Sequence, residues 1–530
     1  MKRLAHGAIL SDGAQPVPDD LDPANAGENT VDCPEPSRFD YLFPCLQDPA
    51  FLLAEKPTTA QALIALGNAM TDPQPKEVTA LADPALDSPI PSVYSYFGQF
   101  ITHEIVFDPT AKDRTLGPDT VPLDKSEIPK LTNARTTLLD LDSIYGPMLD
   151  EKGKCYPVPL NGAEMAVGST PGGQLENDLP REKAPAFTAL IGDGRNDANL
   201  ITSQMHLAFL KAHNRLVKLG NSFENAQRTL RQHFQWLIVS DYLPRVVDSG
   251  VLTSVKEGEI DALKRLDDLP FMPVEFSAAA FRFGHSMPRH RYNYNGSYDK
   301  VRLSDLFLPR KGPYAPVIRE WIIDWNRFIP GGQNVARRID TRLVQPLFHL
   351  IDSGGQPVKL SLAALDLLRG YQLRLPTGQA VATALGAPVM EAGEIESVAG
   401  QVNQEQTAIL KESGLSSRTP LWFYILAEAA HFKEGLCLGQ VGSTIVAGVL
   451  IALVRRSADS ILRESNWTPT LGNGQFDLAQ LFKLAGVSLL KLKNQRRQRQ
   501  WRLVTRFRQW QKRSRMIAPV PPKLRRHFTD

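Results

Sequence analysis

Apolar residues recur at three- to four-residue intervals through long stretches of the chain from residue 200 onward, the spacing of helices that bury one face. Leu200, Met205, Phe209, Leu210 and Leu216 form one such series, and the stretches LAALDLLRG (362–370), TPLWFYILAEA and LGQVGSTIVAGVLIALV form others. Upstream, YSYFGQFITHEIVFDPT (94–110) is apolar and aromatic-rich, again at helical spacing. Between these lie segments rich in Pro, Gly and Asp, at 11–50, 71–92 and 107–130, which predict irregular loops. No internal repeat is evident. The pattern therefore predicts a mainly α fold with long irregular loops and little β, as one domain over 35–488, preceded by an extended arm over 1–34.

Within that pattern four polar groupings interrupt apolar stretches. Gln99 and His103 lie four residues apart, on one face of an otherwise apolar helix, and Glu104 follows at once. Arg195 sits in GDGRNDAN, a turn before the helix that starts near Leu200. His285 ends FRFGH after a run of small residues, and Asp366 and Arg369 stand three apart on a helical segment. Each alone has an ordinary structural explanation: a buried histidine, a loop cation, a helix-face ion pair.

Taken in order, QxxxH, GDxRxxxN, FRFGH and LxLxRG, the chain resembles the animal-type haem peroxidases, with the cyclooxygenases as more distant relatives. The likeness runs from about Ser92 to about Val487 and is strongest to bacterial members. It implies a large helical haem-peroxidase fold and a haem-dependent enzyme that reduces hydrogen peroxide and oxidises a small-molecule donor, either organic or iodide and bromide. His103 matches the distal base, which must be a neutral imidazole to take a proton from peroxide. Arg195 matches the distal arginine that stabilises developing negative charge, and Gln99 the glutamine that binds the distal water or a halide. His285 matches the axial iron ligand. Asp366 stands where the family usually has asparagine, as partner of the second ring nitrogen. Arg282 and Arg369 match the arginines that hold the haem propionates.

A calcium site is also implied by the resemblance. Thr136, Leu138 through its carbonyl, Asp140 and Asp142 match its ligands in TTLLDLDSIYG (136–146), read here as a loop running into a strand. Glu104 stands where the family has aspartate. Relatives that bind haem through ester and thioether links use positions that are Thr102, Ala198 and Asn199 here, and none of these can form the bond. Asp197 is one residue out of register, which turns its side chain by about 100°. Non-covalent haem b is the expectation. A fatty-acid dioxygenase related to the cyclooxygenases is the alternative function, but such enzymes need a radical-forming tyrosine three residues before the axial histidine. That position is Arg282.

Composition adds less. A chain of 530 residues, 42% hydrophobic and 22% charged, can bury a large core. Charge is uneven: residues 491–530 hold fourteen Lys and Arg against one acid, whereas the whole chain nets only +3. In this tail, 489–530, Leu503, Phe507 and Trp510 share a helical side, with Trp501 and Val504 at its edge. Such a basic amphipathic helix suits an anionic membrane surface or a polyanion, or docking onto the acidic body; no specific nucleic-acid partner is expected. MKRLAHGAILSDG has no apolar signal core, and the longest apolar run, 444–454, is too short to span a bilayer. Of the four cysteines, Cys33 and Cys45 are near enough to pair, while Cys155 and Cys437 read as free thiols of a reducing, cytoplasmic setting, with non-classical secretion left open.

Overall fold

The computed structural model describes residues 31–72, 83, 85–149, 154–171, 173, 175–183, 187–268, 271–307, 316–348 and 358–487. The basic tail and most of the N-terminal arm lie outside these residues.

A short strand β1 (Ser37–Asp40) leads to helix α1 (Pro57–Ala69), which opens on proline, a residue whose missing N–H costs nothing at a helix start. Strand β2 (Asp87–Pro91) delivers the chain to α2 (Val93–Ile105), the helix of Gln99, His103 and Glu104. Eleven of its thirteen residues are buried, so α2 is a central helix rather than a surface one. Asn133, in β3 (Thr132–Asn133), closes it: the amide donates to Ile105 O (2.9 Å) and accepts from Phe107 N (2.7 Å). The longest helix among the described residues, α3 (Leu200–Lys218), is N-capped by Asn199, which accepts from the backbone N–H groups of Ile201 and Thr202. Helix α4 (Phe223–Trp236) continues through a π-helical stretch, Leu237–Tyr242, that ends at a buried tyrosine. Strands β4 (Phe271–Pro273) and β5 (Val335–Arg337) are edges of the small sheets. β1 pairs with β3 antiparallel and with β4 parallel, and β2 pairs with β5 antiparallel.

The C-terminal third is helical: α5 (Leu362–Gln372), α6 (Leu421–Lys433), α7 (Gln440–Arg456) and α8 (Leu478–Ala485). The N-terminus of α7 is buried, and the carboxylate of Glu428 satisfies it by accepting from Val441 N and Gly442 N. α1 crosses α5 at very close range: a Cβ added at Gly67 would lie 2.4 Å from Ala364 N, so only glycine permits the crossing. Aromatic rings tie α2 to its neighbours. Phe100 stacks on Phe209 of α3 with centroids 4.8 Å apart, and both meet Phe234 of α4 edge-on. The fold is thus mainly helical, as the pattern predicts.

Two local expectations change, and one segment takes a conformation left open by the sequence. Residues 142–145 form one helical turn rather than a strand, entered through Leu141 at φ +59°. The FRFGH segment is a tight 3₁₀ stretch, Ala280–Ser286, lying against both α2 and α6. Cys33 is bonded to Cys155, across 122 residues of sequence, and not to Cys45; Cys45 and Cys437 are the free thiols. With Cys155 bonded, the reading of Cys155 as a free thiol is corrected, and it no longer supports a reducing compartment. No helix among the described residues is long and apolar enough to cross a membrane.

Candidate active site

α2, the 3₁₀ stretch and the turn before α3 surround a cleft with about 750 Å³ of space between their atoms, part of it open to solvent. Gln99, Thr102, Arg195, Tyr242, Arg282 and His285 are among its walls. A side chain at residue 98 would meet the Tyr242 hydroxyl at 2.5 Å, so glycine there lets the end of the π-helical stretch press onto α2.

His103 is fully buried, and burial, reinforced by the Arg195 guanidinium, pushes its pKa down to about 3. It is therefore a neutral imidazole at any ordinary pH. Its Nδ1 meets Asn196 Oδ1 at 2.8 Å, while its Nε2 is buried without a hydrogen-bond partner. A second partnerless polar atom is Gln99 Nε2; Gln99 Oε1 accepts from Asn199 Nδ2 at 3.3 Å. Buried polar atoms without partners cost about 1–3 kcal/mol each, so these two are suited to meet a ligand or water at the cleft.

Arg195 is aimed by Asp193. That carboxylate accepts from Arg195 Nη2 (2.6 Å), Nε (3.0 Å) and the backbone N–H (2.9 Å), and from Arg135 Nη2 (2.5 Å). Burial alone would raise the Asp193 pKa, but Arg195 and Arg135 outweigh it and hold the carboxyl well below its usual range. Arg195 also donates to the carbonyl of His103 (3.1 Å) and lies over the Phe107 ring (4.9 Å). The arginine thus has a fixed position before any ligand arrives.

At His285 the ring Nδ1 meets Asp366 Oδ2 at 2.6 Å, and the other carboxylate oxygen accepts from Arg282 Nη1 at 2.7 Å. Arg282, matched to a propionate clamp, therefore also balances the charge of Asp366, which is fully buried. Arg369 is buried, donates to Gln372 Oε1 (2.6 Å), and has its pKa pushed down to about 9 by burial and by the nearby cations Arg282 and Arg114. Buried positive charge at this density calls for an anion.

The residues matched to calcium are only partly assembled. Glu104 accepts from Ser143 N (3.1 Å) and Ser143 Oγ, and burial, with Asp142 nearby, lifts its pKa to about 8 although the Ser143 bonds oppose that. Asp142 Oδ2 accepts from Thr136 Oγ1 (2.5 Å). Leu138 is half-buried in the same loop, and Asp140 Oδ1 is buried without a partner. Among the described residues no group of three or more His, Cys, Asp or Glu side chains is placed to hold a metal ion. Asp197, the out-of-register acid, is gripped by Arg181 at 2.7 and 2.9 Å. Sequence reasoning missed Asp193 and Asn196, which fix Arg195 and His103, although both lie within the same GDGRNDAN turn.

The family model for animal haem peroxidase matches residues 114–448, a stretch that includes Arg195, His285, Asp366 and Arg369. Chorion peroxidase of Drosophila melanogaster is 25% identical over 346 residues, covering 60% of this chain and 40% of that protein. Heme peroxidase 2 of Caenorhabditis elegans is 24% identical over 293 residues, covering 43% of this chain and 40% of that one. The chain thus spans well under two thirds of the length of these relatives. Among solved structures, fatty acid alpha-dioxygenase of Arabidopsis thaliana superimposes with a TM-score of 0.50 at 13% identity, covering 93% of this chain and 84% of that one, a likeness of fold.

Proposed function

The chain belongs to the animal haem peroxidase family, and on that premise we propose that it is a haem-dependent peroxidase, reducing hydrogen peroxide and oxidising small organic donors or iodide and bromide. The observation that carries this is the buried, neutral His103 whose Nε2 has no partner, beside an Arg195 already fixed by Asp193.

The residues fit haem b. Its iron would supply the redox chemistry. His285 would ligate the metal through Nε2, with Asp366 fixing the tautomer and adding electron density through Nδ1. Arg369, a buried cation among cations, would pair with a propionate, and Arg282 with the other while keeping its bond to Asp366. His103 Nε2 takes the proton from hydrogen peroxide and returns it to the departing oxygen. Arg195 stabilises the negative charge that grows there, with no reorganisation at the moment of reaction. Gln99 Nε2 offers a donor to water or halide in the cleft.

Attachment is non-covalent in this reading. Thr102 donates its hydroxyl to Gly98 O (3.0 Å), Asn199 caps α3, Ala198 has no reactive group, and Asp197 is held by Arg181. A calcium ion near Glu104, Thr136, Leu138, Asp140 and Asp142 is the further part of the proposal. Its support is the fully buried carboxylate of Glu104 and the partnerless buried oxygen of Asp140, acceptors of the kind a hard cation takes. The basic tail is proposed to contact anionic membrane or polyanion surfaces. The dioxygenase reading is not favoured, because Arg282 stands at the tyrosine position and is committed to Asp366.

The test is the absorption spectrum of haem-loaded protein before and after one equivalent of hydrogen peroxide, followed by turnover with phenols, iodide, bromide and chloride. A spectral change reversed by phenol or iodide, little chloride oxidation, and full release of haem into acid acetone are expected. An unchanged spectrum would remove the peroxidase reading, and haem retained by the protein would remove the non-covalent one.

A further inference from the structure

Asn196 lies between two buried histidines. Its Oδ1 is 2.8 Å from His103 Nδ1, and its Nδ2 is 3.1 Å from Nδ1 of His206, on α3. Both rings are fully buried, and Nε2 of each has no hydrogen-bond partner. Neither His103 nor His206 is among the cleft walls; His103 stands behind Gln99 and Thr102 of the same helix, and His206 meets Phe100 with ring centroids 6.2 Å apart.

We propose that Asn196 is a positioning residue that holds His103 and His206 in complementary tautomers, leaving His103 with the bare Nε2 that peroxide chemistry requires. The inference rests on the reading of His103 as the base.

A carboxamide has one accepting end and one donating end. Bonded to the Nδ1 atoms of two neutral histidines, it requires a proton on one Nδ1 and a bare nitrogen on the other. With Oδ1 toward His103, that ring carries its proton on Nδ1 and presents a lone pair at Nε2. His206 then accepts at Nδ1 and carries its own proton on Nε2. Since Asn196 is the partner of Nδ1 in both rings, its orientation couples the positions of the two protons.

The orientation has a second consequence. When His103 takes up a proton at Nε2, its Nδ1–H still points at an oxygen, so nothing in the bridge has to turn. In the opposite orientation His103 would carry its proton on Nε2 and have nothing to accept with. A doubly protonated ring there would set N–H against N–H. Only one arrangement lets His103 receive and return a proton without rearrangement, and it is the one the structure shows.

The experiment is nitrogen NMR of histidine tautomers in haem-loaded protein, kept diamagnetic as the ferrous carbon monoxide form, alongside the rate of reaction of the ferric protein with peroxide. In the unaltered protein His103 is expected as the Nδ1–H tautomer and His206 as Nε2–H. Asn196→Leu should release His103 into a mixture of tautomers and slow the peroxide reaction about 10-fold, the effect of one lost hydrogen bond, with haem content unchanged. Asn196→Asp accepts at both ends. It should keep His103 as Nδ1–H and rescue the rate, while His206 switches to Nδ1–H, a signature that a merely structural role would not produce. His206 carrying its proton on Nδ1 in the unaltered protein, or Asn196→Leu reacting at the full rate, would overturn the proposal. If Asn196→Asp does not fold, the wild-type tautomers and Asn196→Leu still decide. A wild-type protein that ignores peroxide would sink the peroxidase reading, while the NMR would still judge the bridge.

Discussion

Asp366 accepts from His285 Nδ1 at 2.6 Å and from Arg282 Nη1 at 2.7 Å, so one fully buried carboxylate serves both the ring and the guanidinium beside the cleft. A carboxylate draws the imidazole proton more strongly than an amide would, which makes the ring a stronger electron donor to a metal. Asp366→Asn should therefore retain haem but raise the iron reduction potential by on the order of 50 mV, about a tenfold change in a one-electron equilibrium. Spectroelectrochemistry reads this directly; an unchanged potential would show that the pairing does not tune the metal.

The division of labour around the cleft predicts different failures. His103→Ala should keep haem and lose the fast reaction with peroxide, whereas His285→Ala should lose or loosen haem. Arg195→Ala should slow the peroxide step by roughly 10²-fold, the usual cost of one preorganised charge-stabilising group. Stopped-flow spectra of the three variants check this, and a normal rate in His103→Ala would reject its role.

pH acts on the buried histidines in one direction. His103 and His206 are pushed from 6.5 to about 3 in the folded protein, so between these values the unfolded chain binds more protons than the folded one. Stability from these rings is present above pH 6.5 and is lost as pH falls toward 3. Over the same window His103 stays neutral, so the peroxide rate should hold nearly constant from pH 7 to about 4. Thermal denaturation and stopped-flow across pH 3–8 test both; a rate that halves near pH 6.5 would contradict the burial argument.

Calcium is tested by removal. After chelation, adding calcium should raise the melting temperature and restore peroxide reactivity together, because the ion would brace the helix carrying His103. Asp142→Ala should abolish that response. Elemental analysis finding no calcium in active protein would reject the site.

Removing residues 491–530 should leave haem binding and peroxide reactivity unchanged while weakening binding to anionic vesicles or polyanions. The cluster of fourteen Lys and Arg there is the reason. Co-sedimentation at two salt concentrations measures it. A truncated protein that does not fold would show instead that the tail is needed for folding.

The helices, and the candidate site residues as positions, were legible because each signal is local or ordered. Gln99 and His103 share a helix face by spacing alone, and Arg195, His285 and Asp366 follow in family order. Other features depend on what distant segments bring together. Asn196 reads as an ordinary turn residue until α2 and α3 place a histidine on each side of it. The strand expected after Asp140 is a helical turn entered through Leu141, whose left-handed conformation a leucine does not signal in sequence. The cysteine partners are not deducible from spacing, since four cysteines permit several connectivities.

The bond between Cys33 and Cys155 closes a covalent ring around α1, α2 and the loop of Asp140 and Asp142, while Arg195 and His285 stay outside it. Closing a loop of this length removes conformational freedom from the unfolded chain worth about 4–5 kcal/mol in the chain-entropy account. Folding stability is often only about 5–15 kcal/mol in total. The bond therefore supplies a large share of such a margin, and it does so for the part of the chain that carries His103, leaving the segments of Arg195 and His285 to be held by non-covalent contacts alone.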